Sequence, residues 1–261
     1  MIKEDIKFQN SLVFEGMTSI RSIIKGVHTG INNRKIKKIL YDKSKYNKIA
    51  KDIGYLRAVS HDMDFEVCET ENSEIENITL GASHGGIIAI TEDRTIPYLS
   101  VESNIIQNGF YCMIQGIEDP YNFGYSLRSL YACGCDGIIL PERNWMSAAG
   151  VVARSSAGAS ELFPVFNSGA LSAADIFHNK GYTIVCADER TDNILGECVL
   201  KRPILLIVGG EKRGISKAML DKTDILVKIN YAREFRASLS AASAATMFAY
   251  EIMRQNRGCH I

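Results

Sequence analysis

The sequence predicts an α/β protein in two parts: a larger C-terminal domain built on a parallel sheet, and a smaller N-terminal α/β unit. Three observations carry that prediction. Apolar runs such as Phe110-Tyr-Cys-Met-Ile114, Ile184-Val-Cys-Ala187 and Ile204 to Val208 are continuous rather than alternating, the mark of strands buried on both faces of a parallel sheet. Segments with helical spacing separate these runs, as crossovers between parallel strands require. A weakly patterned stretch at residues 94–108, containing Arg94, Pro97 and Ser100, divides the chain and marks a linker between residues 1–93 and 109–261.

In the N-terminal unit, Gly16 to Lys25 reads as a helix and Lys35 to Tyr41 as a strand. Ser44 to Leu56 is a helix, because Tyr46, Ile49, Ile53 and Leu56 recur at helical spacing. A strand at Asp64 to Cys68, a short helix at Ser73 to Ile78 and a strand at Gly86 to Ile90 follow, the last after a Gly81-Ala-Ser-His-Gly-Gly86 turn. These form a small layered domain. The C-terminal part begins with strand Phe110 to Gln115, a helix near Gly124 to Cys133 stopped by Gly134, and strand Gly137 to Leu140. Helix Ser147 to Ser156, strand Phe163 to Phe166, helix Ser172 to Asn179 and strand Thr183 to Ala187 continue the alternation. Strands Ile204 to Val208 and Ile225 to Ile229 and a helix from Ser238 to Arg254 complete it.

Composition narrows the class. A chain of 261 residues with 46% hydrophobic and 23% charged residues is globular, not disordered. It has no apolar run of about 18 residues, and Met1 to Gln9 alternates charge instead of forming a signal core, so a soluble, cytoplasmic protein without membrane contact is expected. Seven cysteines at irregular spacing, most within apolar runs, read as reduced core thiols. Cys133-Gly-Cys135 is too tight for a zinc pair and has no second pair to join it, so no metal is expected. The net charge is zero, yet Arg34, Lys35, Lys37, Lys38, Lys43, Lys45, Lys48 and Lys51 face only Asp42 in their segment. Such a stripe is either a solvated face or a source of phosphate contacts.

Chemistry is concentrated in three segments: Asp119-Pro-Tyr-Asn-Phe-Gly-Tyr-Ser-Leu-Arg128, Ile207-Val-Gly-Gly-Glu-Lys-Arg-Gly-Ile215, and Ile229 through Ser238-Leu-Ser240. Each follows a strand-like run, so all three emerge at one edge of the sheet, where α/β proteins hold ligands. The Gly-x-Gly-x-x-Gly fingerprint is absent, which disfavours an ordinary dinucleotide fold. Glycines gather instead at Gly209, Gly210 and Gly214, where paired glycines let backbone approach a flat ligand closely. Asp188, Glu189, Arg190 and Asp192 follow a strand, where they either border the pocket or, the favoured reading, form a solvated loop.

In order and wording these segments resemble the three signature motifs of the SpoU (TrmH) family of RNA ribose 2′-O-methyltransferases. The likeness spans Phe110 to Arg254 and includes Arg154-Ser-Ser-Ala-Gly-Ala-Ser-Glu-Leu-Phe-Pro-Val165. It implies a SPOUT-type parallel sheet with a deep trefoil knot, S-adenosyl-L-methionine as cofactor, and a homodimer formed through the C-terminal domain. The cofactor would lie against Gly209, Gly210, Gly214, Ile229, Ser238 and Leu239. Val13 to Lys25 and Leu80 to Ile90 are similar to the ends of the L30e-like RNA-binding domain that many members carry, although Gly85 replaces the usual glutamine. Arg34, Lys35, Lys37, Lys38 and His84 are the candidate RNA contacts there.

Asn122 and Arg128 match the Asn-x-Gly-x-x-x-Arg arrangement that the family uses for catalysis. A guanidinium with a pKa above ~12 is a poor base, so Arg128 is expected to stabilise negative charge on the 2′ oxygen or to share its proton with a substrate phosphate. Asn122 and Glu211 would hold that arginine and the ribose, and Ser238 and Ser240 complete the catalytic set. The third motif departs from the family pattern: Ile229-Asn-Tyr231 stands for Ile-Pro-Met, one residue is added, and Ser240 replaces an asparagine. Structured RNA is the implied partner, ribosomal in preference to transfer RNA because the extra N-terminal domain is commoner among relatives acting there. A non-catalytic RNA-binding or ribosome-assembly protein on the same fold is the alternative. A small-molecule α/β enzyme ranks behind both, lacking a nucleophile elbow or nucleotide fingerprint.

Overall fold

In the computed structural model, which describes residues 12–81, 84–117, 119–141, 148–210, 214–235 and 237–258, the chain divides into two units. One comprises Met1–Thr95 with Trp145–Leu162; the other comprises Ile96–Asn144 with Phe163–Ile261. The described elements run β1 (Val13–Glu15), α1 (Gly16–His28), β2 (Ile36–Asp42), α2 (Tyr46–Met63), β3 (Glu66–Thr70), α3 (Asn72–Ile78) and β4 (Ile87–Thr91). After these come β5 (Phe110–Ile114), α4 (Pro120–Ala132), β6 (Gly137–Leu140), α5 (Ala149–Ser155), β7 (Val165–Asn167), α6 (Ala170–Asn179) and β8 (Thr183–Ala187). The last are β9 (Ile204–Val208), α7 (Lys217–Leu220), β10 (Ile225–Val227) and α8 (Ala241–Gln255).

The first unit holds a mixed sheet in the order β1-β4-β2-β3, in which only β2 and β3 are parallel. Its core joins Phe14, Ile20, Ile23 and Ile24 of β1 and α1 to Ile39, Ile53 and Leu56. The sequence ends the second helix at Leu56, but Val59 and Met63 carry the apolar stripe onward, and α2 stops only where Asp64 turns left-handed at φ 53°. The larger difference is α5. Sequence alone assigns it to the C-terminal domain, yet Ala149 and Ala153 are buried in the first unit's core. Arg154 pairs with the mostly buried Glu15 at 2.7 Å.

An ionic network ties this excursion in. Arg34, 1% exposed, donates from Nε to Glu161 Oε2 at 2.9 Å and from Nη2 to Oε1 at 3.3 Å, and its guanidinium lies 4.7 Å over the Phe14 ring. Arg34 is therefore removed from the candidate RNA surface, because its cation is spent on a buried carboxylate. His84 is removed as well: it is 2% exposed, and its Nδ1 accepts from the Gly86 amide at 3.1 Å. Desolvation holds its imidazole below the ordinary histidine pKa. Lys37 and Lys38 stay near the surface but face Glu92 at 3.5 Å and Glu66 at 3.8 Å; Lys35 is exposed.

The second unit carries a six-stranded sheet in the order β10-β8-β9-β5-β6-β7, parallel throughout. Every residue of β5, β6 and β9 is buried, which is why those runs are continuously apolar. The expected linker is partly absorbed into this unit: Leu99 N donates to Asn167 O at 2.9 Å and Asn167 N to Pro97 O at 2.8 Å, extending the sheet beside β7. Asp119 caps α4 by accepting from the amides of Tyr121 and Asn122, with Pro120 in the first turn. After β9 the chain forms β10 on the far side of β8, and α8 then packs against α4 and β9. The six described cysteines are free thiols, four of them buried. Among the described residues no helix is long and apolar enough to cross a membrane.

Candidate functional site

Because the six strands run parallel, their C-terminal ends share one edge, and the chain ends of β8, β9 and β10 open onto a cleft of about 780 Å³. All six residues that the sequence singles out as a ligand cradle line it: Gly209, Gly210 and Gly214 after β9, and Ile229, Ser238 and Leu239 after β10. Val208, Val227, Ala241, Ala244 and Phe248 supply an apolar wall.

The glycines have a structural reason beyond an approaching ligand. A Cβ on Gly210 would stand 2.7 Å from both Gln115 O and Gly116 Cα, so the loop after β9 touches the backbone that follows β5. Gly214 instead needs its left-handed φ of 57°, where its amide closes a turn onto Gly210 O at 3.0 Å. Gly210→Ala is therefore expected to destabilise the protein by about 1–3 kcal/mol through overpacking against backbone that cannot rotate away. Gly214→Asn should cost under about 1 kcal/mol, since asparagine tolerates that conformation. Denaturant unfolding measures both; equal losses would refute the distinction.

Three polar residues in the cleft belong to the loop for which sequence reasoning favours solvent over a border of the pocket. Asp188, Glu189 and Arg190 all line it. Arg190 donates from Nε to Asp188 Oδ1 at 2.8 Å and from Nη2 to Oδ2 at 2.7 Å, a forked pair that lowers the Asp188 pKa. The available signal was their position directly after a buried strand, since β8 ends at Ala187. Asp192, by contrast, is fully exposed, 3.6 Å from Lys228.

The catalytic candidates lie in different places. Ser238 lines the cleft. Ser240 does not: its Oγ caps α8, accepting from the Ser243 amide at 3.2 Å, so its visible work is to hold the helix start. Asn122 and Arg128 are on α4, outside the cleft lining. Six residues along a helix place two side chains about 120° apart around its axis and ~9 Å along it, so the pair does not share one face. Asn122 is half-buried and Arg128 exposed. Glu211 lies outside the described residues.

The fold and cleft define a class: a parallel α/β domain with a cleft at the strand ends, lined by a late glycine loop and the entry to the last helix. Comparison with known proteins agrees. Residues 109–250 match the model of the SpoU rRNA Methylase family, and the chain belongs to that family. It is 28% identical over 188 residues to a protein of Staphylococcus haemolyticus named as a TrmH family tRNA/rRNA methyltransferase, a match covering 70% of this chain and 75% of that one. Among solved structures, an RNA 2′-O ribose methyltransferase superposes with a TM-score of 0.74 at 18% identity, covering 94% of this chain and 88% of the other. An AdoMet-bound rRNA methyltransferase from Sinorhizobium meliloti does so with a TM-score of 0.74 at 22% identity, covering 97% and 94%. The fold is thus the SPOUT type carried by these enzymes.

Proposed function

We propose that the protein transfers the methyl group of S-adenosyl-L-methionine to a ribose 2′-hydroxyl of structured RNA, with ribosomal RNA as the substrate class. The observation that carries this reading is the gathering of Gly209, Gly210, Gly214, Ile229, Ser238 and Leu239 on one cleft at the C-terminal edge of the sheet. The cleft suits the cofactor: its volume is that of a small-molecule site, its apolar wall accepts a purine, and Asp188 and Glu189 offer carboxylates to ribose hydroxyls. When bound there, S-adenosyl-L-methionine supplies an electrophilic methyl group on a sulfonium.

The chain's own residues do the rest. The glycine loop and Leu239 position the donor, and Ser238 orients polar groups at the cleft mouth. Arg128 stabilises the charge that develops on the 2′ oxygen as its proton departs to a substrate phosphate or solvent. Asn122 steadies the ribose, and Glu211 keeps its role as a partner to the arginine. Because Arg128 is exposed and outside its own chain's cleft lining, a second copy completes the site. Exposed Tyr121 and Tyr125 on α4, with exposed Met247 and Tyr250 on the α8 helix packed against it, support a homodimer by this face. The family's trefoil knot belongs to the same reading, supported by a chain path that places β10 beyond β8 before returning to α8. The first unit, with its own sheet and core, serves as the L30e-like RNA-holding domain, and Lys35, Lys37 and Lys38 remain its candidate phosphate contacts. Ribosomal RNA is preferred because the Sinorhizobium protein, named for that substrate, matches 97% of the chain, both units included.

Incubation with methyl-tritiated S-adenosyl-L-methionine and purified ribosomal or transfer RNA tests this. Incorporation into ribosomal RNA is expected, at a nucleotide whose 3′ phosphodiester resists alkali because its 2′ oxygen is blocked. Label in a base, or none in any RNA, would overturn the proposal.

A further inference from the structure

The strap between β10 and α8 carries two aromatic rings that serve neither unit's core. Tyr231 and Phe235 both line the cleft, are 37% and 58% exposed, and stand edge to face with centroids 6.0 Å apart at 65°. The Leu239 amide donates to the Tyr231 hydroxyl at 3.1 Å, tying the strap across its own base and fixing that ring at the cleft rim, and Phe235 leans on it edge to face. Arg233 lies between them in sequence and lines the same cleft, as does Arg190 across from the strap on the loop after β8. Leaving two rings in water forgoes the burial that makes aromatic residues valuable in a core. Rings fixed beside cations at the mouth of a ligand cleft are the arrangement that single-stranded nucleic acid uses: base on ring, phosphate on guanidinium.

We infer that this strap is a nucleobase-stacking platform, on which an unstacked base of the RNA rests against Phe235 and Tyr231 while Arg233 engages the adjoining phosphate. The inference rests on the methyl-transfer reading of the cleft and adds to it the form of the substrate: a loop, bulge or other unpaired nucleotide rather than a duplex interior. A ribose whose base is held at the rim presents its sugar inward, toward the strand ends.

The test uses the full chain and two fluorescein-labelled probes, a 12-nucleotide single-stranded RNA of mixed sequence and the matching 12-base-pair duplex. Wild-type protein should bind the single strand more tightly than the duplex. Phe235→Leu should weaken single-strand binding about tenfold with duplex binding unchanged, and Phe235→Trp, which restores a larger π-face, should retain the wild-type value. Affinity for S-adenosyl-L-methionine, measured by calorimetry, should be the same in all three proteins, which also establishes that each is folded. The inference is overturned if wild type shows no single-strand preference, if leucine preserves that preference, or if the loss falls on cofactor affinity instead. A single-strand preference that depends on Phe235 in a protein that methylates no RNA would sink the methyl-transfer reading and leave the platform standing.

Discussion

Replacing Arg128 with alanine is expected to lower methyl transfer by roughly 10²–10³-fold, the cost of removing one donor aimed at a developing oxyanion. Affinity for S-adenosyl-L-methionine should hold, because Arg128 is not among the residues lining the cleft. The arginine is exposed on α4, so its loss leaves no buried cavity or stranded charge, and the melting temperature should stay near wild type. Arg128→Lys should recover little: lysine keeps the charge but lacks the planar fork that can bridge a 2′ oxygen and a phosphate together. Single-turnover methylation, isothermal calorimetry with the cofactor and thermal denaturation measure the three quantities. Full activity in the alanine variant would refute the assignment. Asn122→Ala should cost less, since that side chain lies about 120° around the helix from Arg128 and orients rather than stabilises charge.

Glu161→Ala is expected to be the most destabilising single change in the first unit, by about 3–5 kcal/mol, because it strands a buried guanidinium. Arg34 is 1% exposed, and Glu161 accepts from both its Nε and its Nη2, as well as from Asn32 Nδ2 at 2.5 Å. What remains after the substitution is the bond from Arg34 Nη1 to Glu92 O at 3.0 Å and the Phe14 ring, neither of which carries negative charge. For a unit of this size that loss lowers the melting temperature by roughly 10–25 °C. The double variant Arg34→Met with Glu161→Leu should recover most of the stability, since apolar side chains of similar volume avoid the desolvation that the ion pair must offset. If the single and double variants melt together, the charge is not what the site is sensitive to. The outcome bears on function through architecture, because Glu161 follows α5 and fastens that excursion to the N-terminal unit.

Much of the second unit was legible in the chain itself. Strands β6, β8 and β9 occupy the residues that the apolar runs mark, because a strand covered on both faces has no polar position to blur its ends. That Gly209, Gly210, Gly214, Ile229, Ser238 and Leu239 share one cleft was legible for a related reason: motifs that follow buried parallel strands are delivered to one edge whatever the strand order. Less visible were features decided by atoms distant in sequence. Lysine and arginine look alike in a basic stripe, and only the fold separates Arg34, buried against a carboxylate 127 residues away, from the exposed Lys35. For Ser240 the sequence leaves a substitute for the family's asparagine or a moved role open, and only the fold shows its hydroxyl capping α8. For Asp188, Glu189 and Arg190 the sequence leaves a solvated loop or a border of the pocket open, and the fold puts them on the cleft.

By itself the sequence determined the fold class, the family and the segments that meet at the strand ends, because those depend on local periodicity and on short motifs. Tertiary structure alone decided which polar groups are available at the site. It buried Arg34 and His84, placed Asp188, Arg190, Tyr231 and Phe235 on the cleft, and set Arg128 outside it. The physical reason is that a charge or a ring acquires its role from what surrounds it, and those surroundings are assembled from residues that only the folded chain brings together.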